Sequence, residues 1–179
     1  MNPLRKLLAS ALLLAVLACT GGKDAGPPPP ATRLTYADPT DASQWRLARN
    51  AGSSSTHLIL DLLGPSGGAG RGVSAVFTCD SKLAWKAVDG AAFLKLGGTY
   101  NGDLVQRASV QGADLRVLLS QKPGTAQAYG PSPVLSVAVD LVAGTLPGAV
   151  TLTTAQGAHL GASATPEPIS IAVGTLKAE

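Results

Sequence analysis

Gly72-Val73-Ser74-Ala75-Val76-Phe77-Thr78-Cys79 is the stretch on which the fold turns. Val73, Ala75, Phe77 and Cys79 alternate with Ser74, Val76 and Thr78. Successive side chains of a strand point to opposite faces, so this period of two gives one continuous apolar face. Valine and phenylalanine suit such a half-buried pleated surface. Asp80 then ends the run with a turn former.

The same period recurs to either side. Upstream, Leu58, Leu60 and Leu62 alternate with His57, Ile59 and Asp61. Downstream come Leu115, Val117 and Leu119, then Leu135, Val137, Val139 and Leu141, then Val150 with Leu152, and finally Ile169, Ile171 and Val173. Leu83, Trp85 and Ala87 share a face in a further short run. No stretch beyond the N-terminal segment keeps a helical period over three turns. In three places the second face is apolar as well, at Ile59, Val76 and Leu118. This suggests central strands or a second contact surface.

Turn signals fall between these runs. Gly64-Pro65-Ser66-Gly67-Gly68-Ala69-Gly70 reads as a mobile glycine-rich loop, and Asn101-Gly102 as a hairpin turn whose residues tolerate positive φ. Pro123-Gly124, Gly130-Pro131 and Pro147-Gly148 punctuate the second half. Of 179 residues, 45% are hydrophobic, only 14% are charged, and 21 are Gly and 13 Pro. That balance supports a core built from many short strands and turns. The expected class is all-β, a two-sheet sandwich in residues 32–179.

The N-terminus has a different logic. Arg5 and Lys6 precede a short apolar run that ends at Ala18-Cys19. A basic head, a run of roughly 7–15 apolar residues and a small residue before the break make a signal peptide, too short for a spanning helix of about 20. Val16-Leu17-Ala18-Cys19 resembles a bacterial lipobox. The resemblance implies removal of residues 1–18 and lipidation of Cys19, with diacylglycerol on the thiol and an acyl chain on the new amino end. Leu17 is an unusual residue within that motif. Thr20, where Asp would resemble an inner-membrane retention signal, points to the outer membrane of a Gram-negative envelope. Residues 19–31 contain Gly-Gly-Lys-Asp-Ala-Gly-Pro-Pro-Pro-Pro, an extended linker with no apolar side chain to bury. Without Arg5 and Lys6, 12 Lys and Arg face 11 Asp and Glu. That near-neutral balance, with no basic cluster, argues against a nucleic-acid partner.

Residues 72–83, with Phe77 leading into Asp80 and Leu83, resemble the early strand and turn of bacterial cohesin domains. Val88, Gly90, Phe93 and Leu94 continue the pattern. Val134–Leu141 is similar to the family's core strand, and Pro147-Gly148 through Leu152 to the strand that follows. The resemblance covers roughly residues 58–173 and implies a jelly-roll, immunoglobulin-like β-sandwich of about nine strands. Cys79 stands where Tyr is common and Leu141 where Phe is common. No dockerin-like segment is present. The shared residues are core and turn positions, so they speak to fold more than to ligand.

Candidate chemistry is sparse. Cys79 falls in phase with the apolar face and reads as a buried small residue; with Cys19 lipidated, no internal disulfide forms. His57 and His159 lie far apart, without zinc-ligand spacing. No Gly-x-Ser-x-Gly elbow frames a nucleophile. Asp80, Asp89 and Asp103 flank turns and could offer oxygens to calcium, but their spacing matches no calcium loop. Trp45, Trp85, Tyr100 and Tyr129 are the large aromatics of the domain: rings for stacking on sugars, or packing residues of the core. The sequence therefore points to a membrane-anchored, non-catalytic β-sandwich without cofactor or metal, which binds a protein partner or scaffolds an envelope assembly. A carbohydrate-binding module on a polysaccharide and an envelope enzyme are the rival readings.

Overall fold

A computed structural model describes residues 26–122, 124–163 and 165–179. The expected signal peptide of residues 1–18, Cys19 and most of the expected linker lie outside the described residues. Residues 26–30 are exposed, and regular backbone bonding starts where the Ala31 amide donates to the Thr145 carbonyl.

The described chain contains sixteen strand segments and no helix. They are β1 (Leu34–Ala37), β2 (Trp45–Arg49), β3 (His57–Leu63), β4 (Ala69–Gly70), β5 (Gly72–Cys79), β6 (Leu83–Lys86), β7 (Lys95–Leu96) and β8 (Leu104–Gln111). The second half adds β9 (Asp114–Gln121), β10 (Gln127–Ala128), β11 (Leu135–Leu141), β12 (Gly148–Val150), β13 (Leu152–Leu160), β14 (Pro166–Pro168), β15 (Ile171–Ala172) and β16 (Thr175–Ala178). Ten have four residues or more, close to the nine expected; the others are short pieces broken off by turns.

Two large sheets form the sandwich. One has six strands in the order β15-β2-β3-β11-β6, with β7 also on β11; the other has five, β14-β13-β5-β9-β8. A small sheet, β1-β16-β12, and the pair β10-β4 complete the fold. The register follows the sequence pattern. Opposite residues of antiparallel partners share a face, and Phe77 lies across from Leu115 while Ala75 lies across from Val117. In the facing sheet Leu62, Leu60 and Leu58 lie across from Leu135, Val137 and Val139. All of these are buried and meet in one core. A one-residue slip of any of these strands would turn its apolar set to solvent, which is why alternation specifies the register so strongly.

Two turn readings change. Gly102 does have positive φ, but it leads into β8 and closes no hairpin. The β8–β9 hairpin is closed by Gly112-Ala113, with Gly112 at φ 61° and Gln111 across from Asp114. The glycine-rich loop is pinned rather than loose. The Tyr129 ring lies over Gly64 so closely that a Cβ there would overlap it, and the Tyr129 amide donates to the Gly68 carbonyl at 2.8 Å. Glycine serves here to admit a ring.

Candidate protein-binding face

The five-stranded sheet buries one face and leaves the other open. On β9, Leu115, Val117 and Leu119 enter the core, so Arg116 and Leu118 must point outward. On β5 the outward residues are Ser74, Val76 and Thr78. Register aligns them into rungs. Gln156, Val76, Arg116 and Ser109 lie side by side across β13, β5, β9 and β8; Ala158, Ser74, Leu118 and Arg107 form the next rung. A register shift in β13 between Thr154 and Gln156 keeps Gln156 and Ala158 on the outer face.

These rungs enclose an open depression of about 680 Å³, which β14 and Ile169 border on one side. Its floor is aliphatic: Val76, Leu118, Ala158, Pro168 and Ile169, with Arg107 and Arg116 on the β8 side. Leu118 is 38% exposed, a large apolar side chain left in solvent. Asp114, the acid of β9 on this face, is already engaged by the Thr78 hydroxyl at 2.7 Å. Sequence reasoning marked Val76 and Leu118 as a second apolar face but did not foresee Arg107 or β8. The signal for Arg107 could only come from knowing its strand partner.

The outer face of the six-stranded sheet is chemically closed by comparison. Asp61 accepts from Ser136 Oγ at 2.6 Å and from Asn50 Nδ2 at 2.8 Å. His57 Nδ1 meets Asp140 at 2.5 Å, with Lys86 Nζ 3.9 Å from the same carboxylate. Ser, His and Asp thus share a face without forming a nucleophilic relay. Ser136 Oγ gives its hydrogen bond to Asp61, and the Ala138–Ile59 rung separates it from the His57–Asp140 rung. A nucleophile needs the base itself within hydrogen-bond reach.

The aromatic candidates turn inward, and three of them, Trp45, Tyr129 and Tyr100, meet in the core. Trp45, Trp85, Tyr100 and Tyr129 are between 5% and 8% exposed and belong to the core. Trp45 packs edge-on against Tyr129 with ring centroids 4.8 Å apart. Trp85 Nε1 donates to the Ala113 carbonyl at 2.7 Å, and the Tyr100 and Tyr129 hydroxyls are 3.3 Å apart. Burial pushes the Tyr100 phenol up to about 12 and Tyr129 higher still. A sugar platform needs an open ring face, and these four rings spend theirs on packing. Cys79 is buried; desolvation, with Asp80 and Asp114 adding to it, raises its thiol above the usual range, which keeps it protonated. Asp80 accepts from the Lys82 and Thr151 amides, Asp89 faces Lys95 and Asp103 faces Lys122. The three carboxylates are therefore committed separately. Among the described residues, no three potential ligands gather as a metal site would require.

Strand order, register and an open sheet face define the architecture well enough to compare it with known proteins. A type II cohesin domain from the cellulosome of Acetivibrio cellulolyticus superposes with a TM-score of 0.54, at 11% identity, over 77% of this chain and 95% of that one. A non-cellulosomal cohesin from the archaeon Archaeoglobus fulgidus gives 0.51, at 10% identity, over 80% and 88%. The chain has a cohesin-like β-sandwich fold. At such low identity the likeness concerns fold alone. Neither a protein-family model nor a curated relative matches the chain.

Proposed function

We propose that this protein is a membrane-tethered, non-catalytic docking module. Its cohesin-like sandwich binds a protein partner through the outer face of the five-stranded sheet. One observation carries the reading: an open depression on the outer face of this sheet, lined in large part by aliphatic side chains with the exposed Leu118 among them. Contiguous exposed apolar surface on a folded domain marks an interaction site more often than scattered apolar residues do. The fold neighbours, one of them a cohesin domain from a cellulosome, agree with a binding module. The separation of Ser136 from His57 argues against hydrolysis, and the burial of the four aromatics argues against a polysaccharide ligand.

The tether rests on Cys19 and the proline run of residues 27–30. A dually or triply acylated terminus anchors stably. A spacer of about 12 residues with a polyproline stretch, at roughly 3 Å per residue there, holds the sandwich clear of the bilayer. The module would then present its open face within the envelope.

The test is affinity capture from envelope extract with the full chain and with Leu118→Asp. A partner retained by the parent protein and lost by the variant, with thermal stability unchanged, supports the reading. Equal retention by both proteins overturns it.

A further inference from the structure

We propose that the partner's contact surface is acidic, presenting carboxylates to Arg107 and Arg116 around an aliphatic side chain that enters the depression. This inference rests on the docking face proposed above and deepens it by naming the chemistry of its occupant.

Arg107 lies directly across from Leu118, and Arg116 directly across from Ser109. The two arginines are thus diagonal neighbours on adjacent strands, an arrangement with Cα atoms roughly 7–8 Å apart on one face. Like charges on one face of a sheet repel. Both side chains line the same depression. Among the described residues neither meets a carboxylate, whereas Lys82, Lys86, Lys95 and Lys122 each find a backbone carbonyl or an acid. Asp114 keeps its charge while accepting from Thr78, but it forms no ion pair with Arg116. The face therefore carries two guanidiniums without an ion-pair partner among the described residues, beside a mainly apolar floor.

Guanidinium is the group that recognises carboxylates through two parallel hydrogen bonds, and it loses less hydration than ammonium when an interface closes over it. An acidic partner would supply the missing counter-charges and bury the floor in one step. Uronic-acid polysaccharides also carry carboxylates. They are disfavoured because the floor is aliphatic, while sugar faces pack on aromatic rings and this chain buries its four large ones elsewhere.

A phage-displayed random peptide library, selected on the immobilised full chain, reads the chemistry directly. Four proteins are compared: parent, Arg107→Glu, Arg116→Glu and Leu118→Asp. The expected outcome is enrichment of peptides that combine Asp or Glu with an aliphatic residue. Binding of those peptides should fall at least about tenfold with either arginine reversal and weaken sharply as salt rises, since paired charges of this kind steer and hold a complex. A control with Lys122→Glu, away from the depression, should bind as the parent does. Enrichment of neutral apolar peptides, sensitive to Leu118→Asp alone, overturns the acidic partner and leaves the docking face standing. Peptides indifferent to all three variants overturn both. Retention of polygalacturonate in place of any peptide overturns the protein partner in favour of an acidic glycan.

Discussion

Leu118 and Leu119 are adjacent, identical in chemistry and opposite in fate. Leu119 is fully buried and Leu118 is 38% exposed, because β9 sends alternate residues to opposite faces. Truncation of each to alanine therefore tests the sheet's register and its open face together. A buried Leu→Ala change costs about 2–5 kcal/mol, through lost transfer energy and the cavity left behind. Leu119 lies between Val73 of β5 and Gln106 of β8, and two strands held at both edges have little room to collapse into the gap. A loss of about 3 kcal/mol is expected. With a urea slope of about 2 kcal/mol/M, the unfolding midpoint falls by roughly 1.5 M. Leu118 lies across from Ser74 and Arg107 on the open side. Its truncation removes contacts but opens no cavity, so the cost stays near or below about 1 kcal/mol and the midpoint moves by less than roughly 0.5 M. Equilibrium urea unfolding followed by tryptophan fluorescence measures both, since Trp45 and Trp85 report from the core. Similar shifts for the two variants, or a larger one for Leu118→Ala, would mean that β9 is displaced by one residue and that the proposed face is the buried one.

Two further outcomes follow from the same structure and one from the sequence. Tyr36 and Tyr100 are each pushed up to about 12, chiefly by burial, while an unfolded chain ionises its phenols near 10. The folded state thus holds the extra protons between those values. Its stability from these groups is complete below about pH 10 and is lost as pH rises towards 12, which urea midpoints taken across that window with parallel absorbance at 295 nm will show; a flat profile refutes it. Cys79, buried with its thiol donating towards the Leu83 carbonyl, should react with a disulfide reagent at pH 8 only on the timescale of unfolding. Prompt labelling of the native protein would contradict its place in the core. Cys19→Ser should abolish incorporation of labelled palmitate and leave the precursor uncleaved. Unchanged labelling and processing remove the tether from the proposal.

The long buried strands were legible because each obeys one rule. β3, β5, β9 and β11 each carry an apolar residue at every second position, and those positions now pack in the core. β8 was not legible, and the reason is physical. Leu-Val-Gln-Arg-Ala-Ser-Val-Gln sits at the edge of its sheet, where most of its residues are exposed whichever way they point, so no face imposed a pattern on it. Its turn was missed for a related reason. Asn-Gly at 101–102 carries the stronger hairpin signature, yet the strand pairing follows Gly112-Ala113, whose positive φ the sequence does not announce. The run from Ile169 to Val173 reads as one strand, but only Ile171–Ala172 pairs within it, as β15, because the chain is passing there between the sheets that hold β14 and β16. The aromatics show the limit of composition: Trp45 and Tyr129 could serve a sugar or a core, and only their edge-on packing with His159 nearby decides for the core. Half the candidate face was readable, as the apolar second side at Val76 and Leu118. The arginines were not, since their meaning depends on which strands lie beside them.

The two outer faces of the sandwich resolve where a partner should land. Both carry ionisable groups, so net charge does not separate them. What differs is how far those groups are satisfied within the chain. On the six-stranded sheet, Asp61 is bonded by Ser136 and Asn50, and Asp140 by His57, so a partner would have to displace bonds already made. Such displacement returns little, because one hydrogen bond is exchanged for another. On the five-stranded sheet, Leu118 is exposed and Arg107 and Arg116 form no ion pair among the described residues, so a partner there displaces water rather than bonds within the chain. Association is therefore expected on the five-stranded sheet. A substitution on the other face checks this. Asp61→Ala should strip the acceptor from Ser136 and Asn50 and destabilise the fold by roughly 1–3 kcal/mol while leaving capture by the other face intact.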